Sequence, residues 1–202
     1  MNDTQMRRAP TQKRSRERVD AILSKAAEMI AEAGSDALRM SELAQRTGIS
    51  IGSLYQYFPD KSAIVHALAE RCNEASRACI AEGLSAVDAM DDLGNAFGAL
   101  VDTYYAIFRA EPVIRDIWSA VQADGALRAM EVEESRRNGD LLAARLKALR
   151  PDADAAGIDA AALLVMHLGE ATMRLAVSVG RAEGDALVEA YKRMAIRELT
   201  AP

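Results

Sequence analysis

An all-α fold of about nine helices is the architecture that the 202 residues predict. Three observations carry the prediction. Apolar residues recur at helical spacing along nearly the whole chain. Capping residues, glycines and prolines punctuate those runs at helix-length intervals. No alternating run rich in β-branched residues is long enough to suggest a sheet. Half of the residues are hydrophobic and 27% are charged, which suits a globular chain with a real core and argues against disorder. No repeat of 20–50 residues stands out.

The elements follow in order. Val19, Ile22, Leu23, Ala26 and Ile30 form one face of an amphipathic helix, which Gly34 stops. Ser41 to Arg46 makes a short second helix, and Gly48 breaks it. Ser50 is a good N-cap for a third short helix through Tyr57. Phe58-Pro59 ends that helix, because a residue before proline is pushed out of the helical region. Asp60 then caps a fourth helix with Ile64, Leu68, Cys72, Ala75 and Cys79 on one face. Ser85 and Asp88, three apart, resemble a capping box before the stripe Leu93, Ala96, Phe97, Leu100, Val101, Tyr104 and Phe108. Pro112 suits the first turn of a helix carrying Val113, Ile114, Ile117 and Trp118. A long helix runs from about Ala126 to Leu149 and is closed by Pro151. Two more span about Ala155 to Val179 and about Asp185 to Leu199, separated by Gly180 and Gly184.

The helix from Ile158 to Val179 is apolar around almost its whole circumference, so it must be buried on every side. A central position in a monomer would do that; so would a partner. Leu164, Leu168, Ala171 and Leu175, with Leu187, Tyr191 and Met194 of the last helix, are read as a homodimer interface, a four-helix arrangement across a two-fold axis.

Composition excludes several classes. No apolar run is expected to reach the roughly 18–20 residues of a membrane helix, and Met1 to Arg18 lacks the apolar core of a secretory signal. The chain is expected to be cytoplasmic and away from membranes. Cys72 and Cys79 stand seven apart, about 10 Å along a helix, too far to bridge. They read as small hydrophobes, with a redox sensor as the alternative. His66 and His167 are the only histidines. His167 and Glu170 are spaced to share a metal, but a di-metal carboxylate bundle needs two Glu-x-x-His motifs and two further glutamates. No nucleophile elbow, Walker A or H-E-x-x-H motif occurs. Neither enzyme activity, nor a cofactor, nor a metal is expected. The net charge of −5 argues at first against a nucleic-acid partner. It is unevenly spread: residues 1–61 hold 10 basic and 8 acidic residues, whereas 62–202 hold 15 and 22. Arg7, Arg8, Lys13, Arg14, Arg16 and Arg18 concentrate positive charge at one end, either as a solvated tail or as a basic arm along phosphates.

Next to that charge, Ser41 to Tyr57 has the pattern helix, glycine turn (Thr47-Gly48-Ile49), helix. Leu43, Ala44, Ile49 and Leu54 would hold the pair together. The second helix would then present Ser50, Ile51, Ser53, Tyr55, Gln56 and Tyr57, with hydroxyl and amide groups for base edges or phosphates and an Ile51 side chain suited to a thymine methyl. Gly52 permits close approach, and Lys61 suits a phosphate. For Tyr55 and Tyr57 ordinary packing is the competing reading.

The stretch from Leu43 to Lys61 resembles the signature of TetR-type transcriptional repressors, most specifically in Leu54-Tyr55-x-Tyr57-Phe58 followed by Lys61 after a Gly-Ile-Ser turn. The detailed resemblance covers about Arg16 to Leu68. It implies a DNA-binding head over residues 1–61 and an effector-binding, dimerising body over 62–202. Carried over by position, Ser41, Ile51, Gly52, Ser53, Tyr55 and Tyr57 face DNA and Lys61 meets its backbone. Arg39, Ile51 and Tyr57 depart from the residues frequent in the family, so the operator sequence is not readable. The implied partners are a double-stranded, roughly palindromic operator and a small, mainly apolar or amphipathic effector. Tyr104, Phe108, Trp118, Met130, Met166, His167 and Glu170 are the candidates for its pocket, against a competing reading as core. An activator using the same head, or a helical interaction protein that does not bind DNA, are the alternatives.

Overall fold

The computed structural model describes residues 8–120 and 125–201, apart from the side chains of 8–12 and 118–120. Among them are nine α-helices, one 3-10 turn and no strand. The helices are α1 (Arg8–Ala33), α2 (Met40–Thr47), α3 (Ile51–Tyr57), α4 (Lys61–Ser85), α5 (Met90–Ala110), α6 (Pro112–Ala120), α7 (Gly125–Leu149), α8 (Ala155–Ser178) and α9 (Arg181–Thr200). The chain divides into two compact units inside α4, between Glu70 and Arg71, further along than residue 61.

In the first unit, the local signals act where the sequence places them. Gly34 has φ 82°, and its N–H reaches Ile30 O at 2.8 Å, closing α1. Gly48, at φ 69°, closes α2 in the left-handed conformation that costs glycine little. The Ser50 side chain accepts from Ser53 N at 3.1 Å and starts α3. The Asp60 carboxylate accepts from Ala63 N at 2.8 Å and starts α4. Ile22, Leu23, Ala26 and Ile30 of α1 are buried with Leu43, Ala44, Leu54, Phe58 and Ile64, while Ile49 is half-buried. α1 begins well before the Val19 stripe, so Lys13, Arg14, Arg16 and Arg18 are exposed on a helix rather than on a tail. Arg7 and the Arg8 side chain lie outside the described residues.

In the second unit, α8 packs between α7 and α9, and α5 packs on α8 and α9. Two local expectations fail there. Ser85 does not cap α5: it ends α4, donating to Glu82 O at 2.7 Å, and Asp88 pairs with Arg145 at 3.1 Å. α5 begins at Met90 behind Ala89, without a side-chain cap. Nor does Gly184 separate α8 from α9. It lies buried in the first turn of α9, because the helices cross where a Cβ would run into the Ala176 carbonyl and stand 2.9 Å from the Tyr105 hydroxyl. Gly184→Ala is expected to destabilise the body by about 2 kcal/mol through overpacking; an unchanged midpoint in denaturant unfolding would show that the crossing relaxes freely.

The expectation about apolar runs is also corrected. The 24 residues of α8 are long and apolar enough, by length and composition, to cross a membrane. The helix nevertheless carries an ion-paired Arg174 and a buried Glu170 and lies against α7 and α9; it is not buried on every side in the single chain, since Leu164, Leu168 and Leu175 are exposed.

Candidate nucleic-acid interface and body cavity

α2 and α3 position the first site. With Leu43, Ala44 and Leu54 turned into the core, the opposite side of α3 is left outside. Tyr55 is 50% exposed, and Ile51, Gly52, Gln56 and Ser50 are exposed too; Ser53 and Tyr57 are half-buried. The Tyr55 ring therefore stands largely outside the buried core, whereas the Tyr57 ring is more covered. Apart from its own helix backbone and chain neighbours, nothing lies within 4 Å of where a Cβ on Gly52 would be, so the surface is open there.

Ser41, Ile51, Tyr55 and Lys61 converge on one shallow concavity of about 410 Å³, together with Leu38, Arg39, Met40, Pro59 and Asp60. Arg39 is the positively charged member that sequence reasoning did not assign to this face. It precedes α2 without capping it, and its guanidinium donates to Asp36 O at 2.9 Å. Lys61 Nζ lies 3.9 Å from an Asp36 carboxylate oxygen, a loose pair on an exposed surface. Such pairs hold little energy, so a phosphate can displace the carboxylate. Arg46, by contrast, is tied to Glu32 at 2.7 Å and Glu42 at 2.8 Å, bracing α2 against α1.

The second site is a cavity of about 320 Å³ within the second unit. Tyr104, Met166 and Glu170 line it as expected. Phe108 does not: it is buried behind Tyr104, edge-on to that ring at 5.1 Å. His167 does not either, since its Nδ1 meets the Ser135 hydroxyl at 3.1 Å on α7. Met130 lies off the lining, and the Trp118 side chain is outside the described residues. Tyr191, read as an interface residue, is corrected to a cavity wall. It is buried, its hydroxyl donates to Val165 O at 2.8 Å and its ring packs on Phe97. A hydroxyl so placed needs an internal partner and has one.

Both cysteines also face this cavity, half-buried and as free thiols. Burial, assisted by Glu111, pushes the Cys72 thiol up and keeps it protonated, the opposite of a reactive thiolate. Asn73 and Asn138 line it too, with Arg71, Ser76 and Thr103. Behind it, Glu134 pairs with Arg77 and Glu131 with Arg174, all four on α4, α7 and α8. Burial, then repulsion from Glu131, raises Glu170 to about 8, against the pull of Arg174. The Tyr104 hydroxyl is likewise raised well above its ordinary value, by burial first and then by Glu170. Among the described residues no three His, Cys, Asp or Glu side chains are grouped to hold a metal ion.

On the outside of the same unit, Leu164, Leu168 and Leu175 of α8 and Met194 of α9 are large apolar side chains open to solvent, Leu164 at 56% and Met194 at 61%. Ala171 and Leu187 are half-buried.

The model of bacterial regulatory proteins of the tetR family matches residues 22–68, and that of the tetracyclin repressor-like C-terminal domain matches residues 91–202. Among solved structures, a TetR-family transcriptional regulator from Streptomyces coelicolor is 27% identical, with 92% of this chain and 96% of that one covered and a TM-score of 0.68. RolR in complex with resorcinol is 20% identical over 95% and 97% of the two chains, with a TM-score of 0.64. AlkX, a TetR family repressor from Dietzia implicated in biodegradation of n-alkanes, is 15% identical over 90% and 95%, with a TM-score of 0.62. At those last two identities the likeness is one of fold alone. None of the curated proteins matches the chain.

Proposed function

The chain belongs to the TetR family of bacterial transcriptional regulators, and from that premise we propose that it represses by binding a palindromic operator as a dimer and leaves it when a small molecule enters the body's cavity. The family consists of DNA-binding regulators rather than enzymes. Such a regulator works where the DNA is, in the cytoplasm.

The observation that carries the reading is the convergence of exposed Tyr55, Ile51 and Ser41 with Lys61 and Arg39 on one face of the helix-turn-helix. Tyr55, Gln56, Ile51 and Ser53 read base edges; Lys61, Arg39 and the basic start of α1 hold the phosphates. The positive excess lies in residues 1–61, which carry this face, and the acidic excess in the body, which favours DNA contact through the head. The exposed leucines of α8 and Met194 of α9 are the dimer contact, since apolar side chains so open in one chain favour a partner. A two-fold dimer presents its two reading helices about 34–36 Å apart, one turn of DNA, for adjacent half-sites. RolR's bound resorcinol and the cavity's size both favour a small effector. Ligand and DNA then weaken each other's binding by the same factor.

Anisotropy titrations with DNA from the region upstream of the coding sequence test this directly: specific binding with a steep salt dependence supports it, and its absence across neighbouring promoters overturns it. Lys61→Ala is expected to weaken binding to every sequence alike and to lower the salt slope by about one unit; an effect confined to the specific site would refute the phosphate role. Leu164→Asp with Leu168→Asp is expected to give a monomer by analytical ultracentrifugation and to lose most operator affinity; a stable dimer would move the interface elsewhere.

A further inference from the structure

We infer that the body's cavity takes a compact, uncharged organic molecule with an apolar frame and at least one hydroxyl group. The inference rests on the effector reading above. Most of the wall is apolar, from Phe97, Leu100, Val101, Ile107 and Met173. Among the polar side chains on the lining, three are both nearly fully buried and left with an unpaired atom. Asn73 on α4, Asn138 on α7 and Glu170 on α8 are only 3%, 4% and 6% exposed. Each has a buried polar atom with no hydrogen-bond partner: Asn73 Nδ2, Asn138 Oδ1 and Glu170 Oε2. Buried polar groups left unpaired are costly and uncommon, and three around one cavity point to a ligand that pairs them.

Their chemistry selects the ligand. The set contains a donor and acceptors together. A hydroxyl both donates and accepts, so it can serve any member of the set. An ether or ketone only accepts and leaves Asn138 Oδ1 unmet. An ammonium only donates, leaves Asn73 Nδ2 unmet and forces Glu170 to ionise in a buried site. A carboxylate or phosphate brings a negative charge next to Glu170, which Glu131 and Glu134 already influence. The guanidiniums that would receive that charge are engaged: Arg174 with Glu131, Arg77 with Glu134, and Arg71 on the lining with a partner of its own. With Glu170 raised to about 8, the acid is mostly protonated at neutral pH, so Asn73, Asn138 and Glu170 together form an uncharged polar set.

Calorimetric titration of the full chain with matched probes tests the inference: 2-naphthol, naphthalene, 2-naphthoate and 2-naphthylmethylamine, with phenol, toluene, benzoate and benzylamine as the one-ring set. A hydroxyl compound is expected to bind about tenfold or more tightly than its hydrocarbon, amine and carboxylate counterparts. Equal or tighter binding by an amine, carboxylate or bare hydrocarbon overturns the inference, as does failure of both hydroxyl compounds to bind up to their solubility limits. Release of operator DNA, followed by anisotropy with the same probes, separates the two readings. Hydroxyl preference without release leaves the ligand class standing and removes the effector role. Release by the amine or carboxylate keeps the effector role and removes the ligand class.

Discussion

Leu54→Ala is expected to cost the head about 3 kcal/mol, the ordinary penalty for truncating a fully buried leucine. Leu54 has no solvent exposure and comes from the seven-residue α3, which has no other buried side chain. Its backbone accepts the Phe58 N–H at 2.9 Å, so the same residue anchors the helix and ends it. The head's core is small, and a loss of this size is a large share of what holds a small unit together. Hydrogen exchange reads the effect: amides of α1 to α3 are expected to exchange about a hundredfold faster, while those at the α7–α8 contact keep their rates. Tyr55→Ala is the paired experiment. Its ring stands outside the core, so the substitution should weaken DNA binding with head exchange rates unchanged. If L54A leaves head exchange unchanged, or Y55A accelerates it, the division between residues that hold α3 and residues that read DNA is wrong.

That division was legible in the sequence because it is set locally. A cap such as Ser50 or Asp60 acts within three residues, and the positive φ of Gly34 and Gly48 follows from the turns on which they sit. The alternation of Leu54 inward with Tyr55 outward is the helix period itself. The misreadings arose where a local pattern met a distant partner. Ser85 and Asp88 have the spacing of a capping box, but Arg145, 57 residues away, takes the Asp88 carboxylate. Gly184 looks like a helix breaker, but it is a contact glycine whose neighbour is Ala176 on the preceding helix. The cavity was the least legible part. Asn73, Asn138 and Glu170 come from three helices, and nothing in the spacing along any one of them shows that they meet. By spacing alone Tyr191 fits the amphipathic outer face of α9 equally well; only the bond from its hydroxyl to Val165 O distinguishes the two placements. Arg39 departs from the family's pattern, and only its place beside Ser41, Tyr55 and Lys61 gives it a use.

Glu170 is the residue at which those polar groups set the body's stability as well as its ligand. Its carboxyl is raised from 4.5 to about 8 by burial and by Glu131, with Glu134 adding and Arg174 opposing. Tyr104 from α5, Tyr191 from α9 and Asn73 from α4 share its cavity wall and supply no positive charge. Below pH 4.5 the acid is protonated in both folded and unfolded chains and favours neither. Between 4.5 and about 8 the unfolded chain gives up the proton and the folded chain keeps it, so stability falls as pH rises through this window; above it both forms are ionised and the folded state bears the full cost. Glu170→Gln removes the titration while keeping the shape and the capacity to hydrogen-bond. The variant's stability relative to the wild type is therefore expected to increase by about 3 kcal/mol between pH 5 and pH 8. Tyr104 and Tyr191, which Glu170 also raises, stay protonated throughout this window, so the difference between the two denaturant-unfolding curves reports this carboxyl. A difference that stays flat across the window would mean that Glu170 is ionised in the folded body, with a charge partner, and would remove the uncharged polar set on which the choice of an uncharged hydroxyl ligand depends.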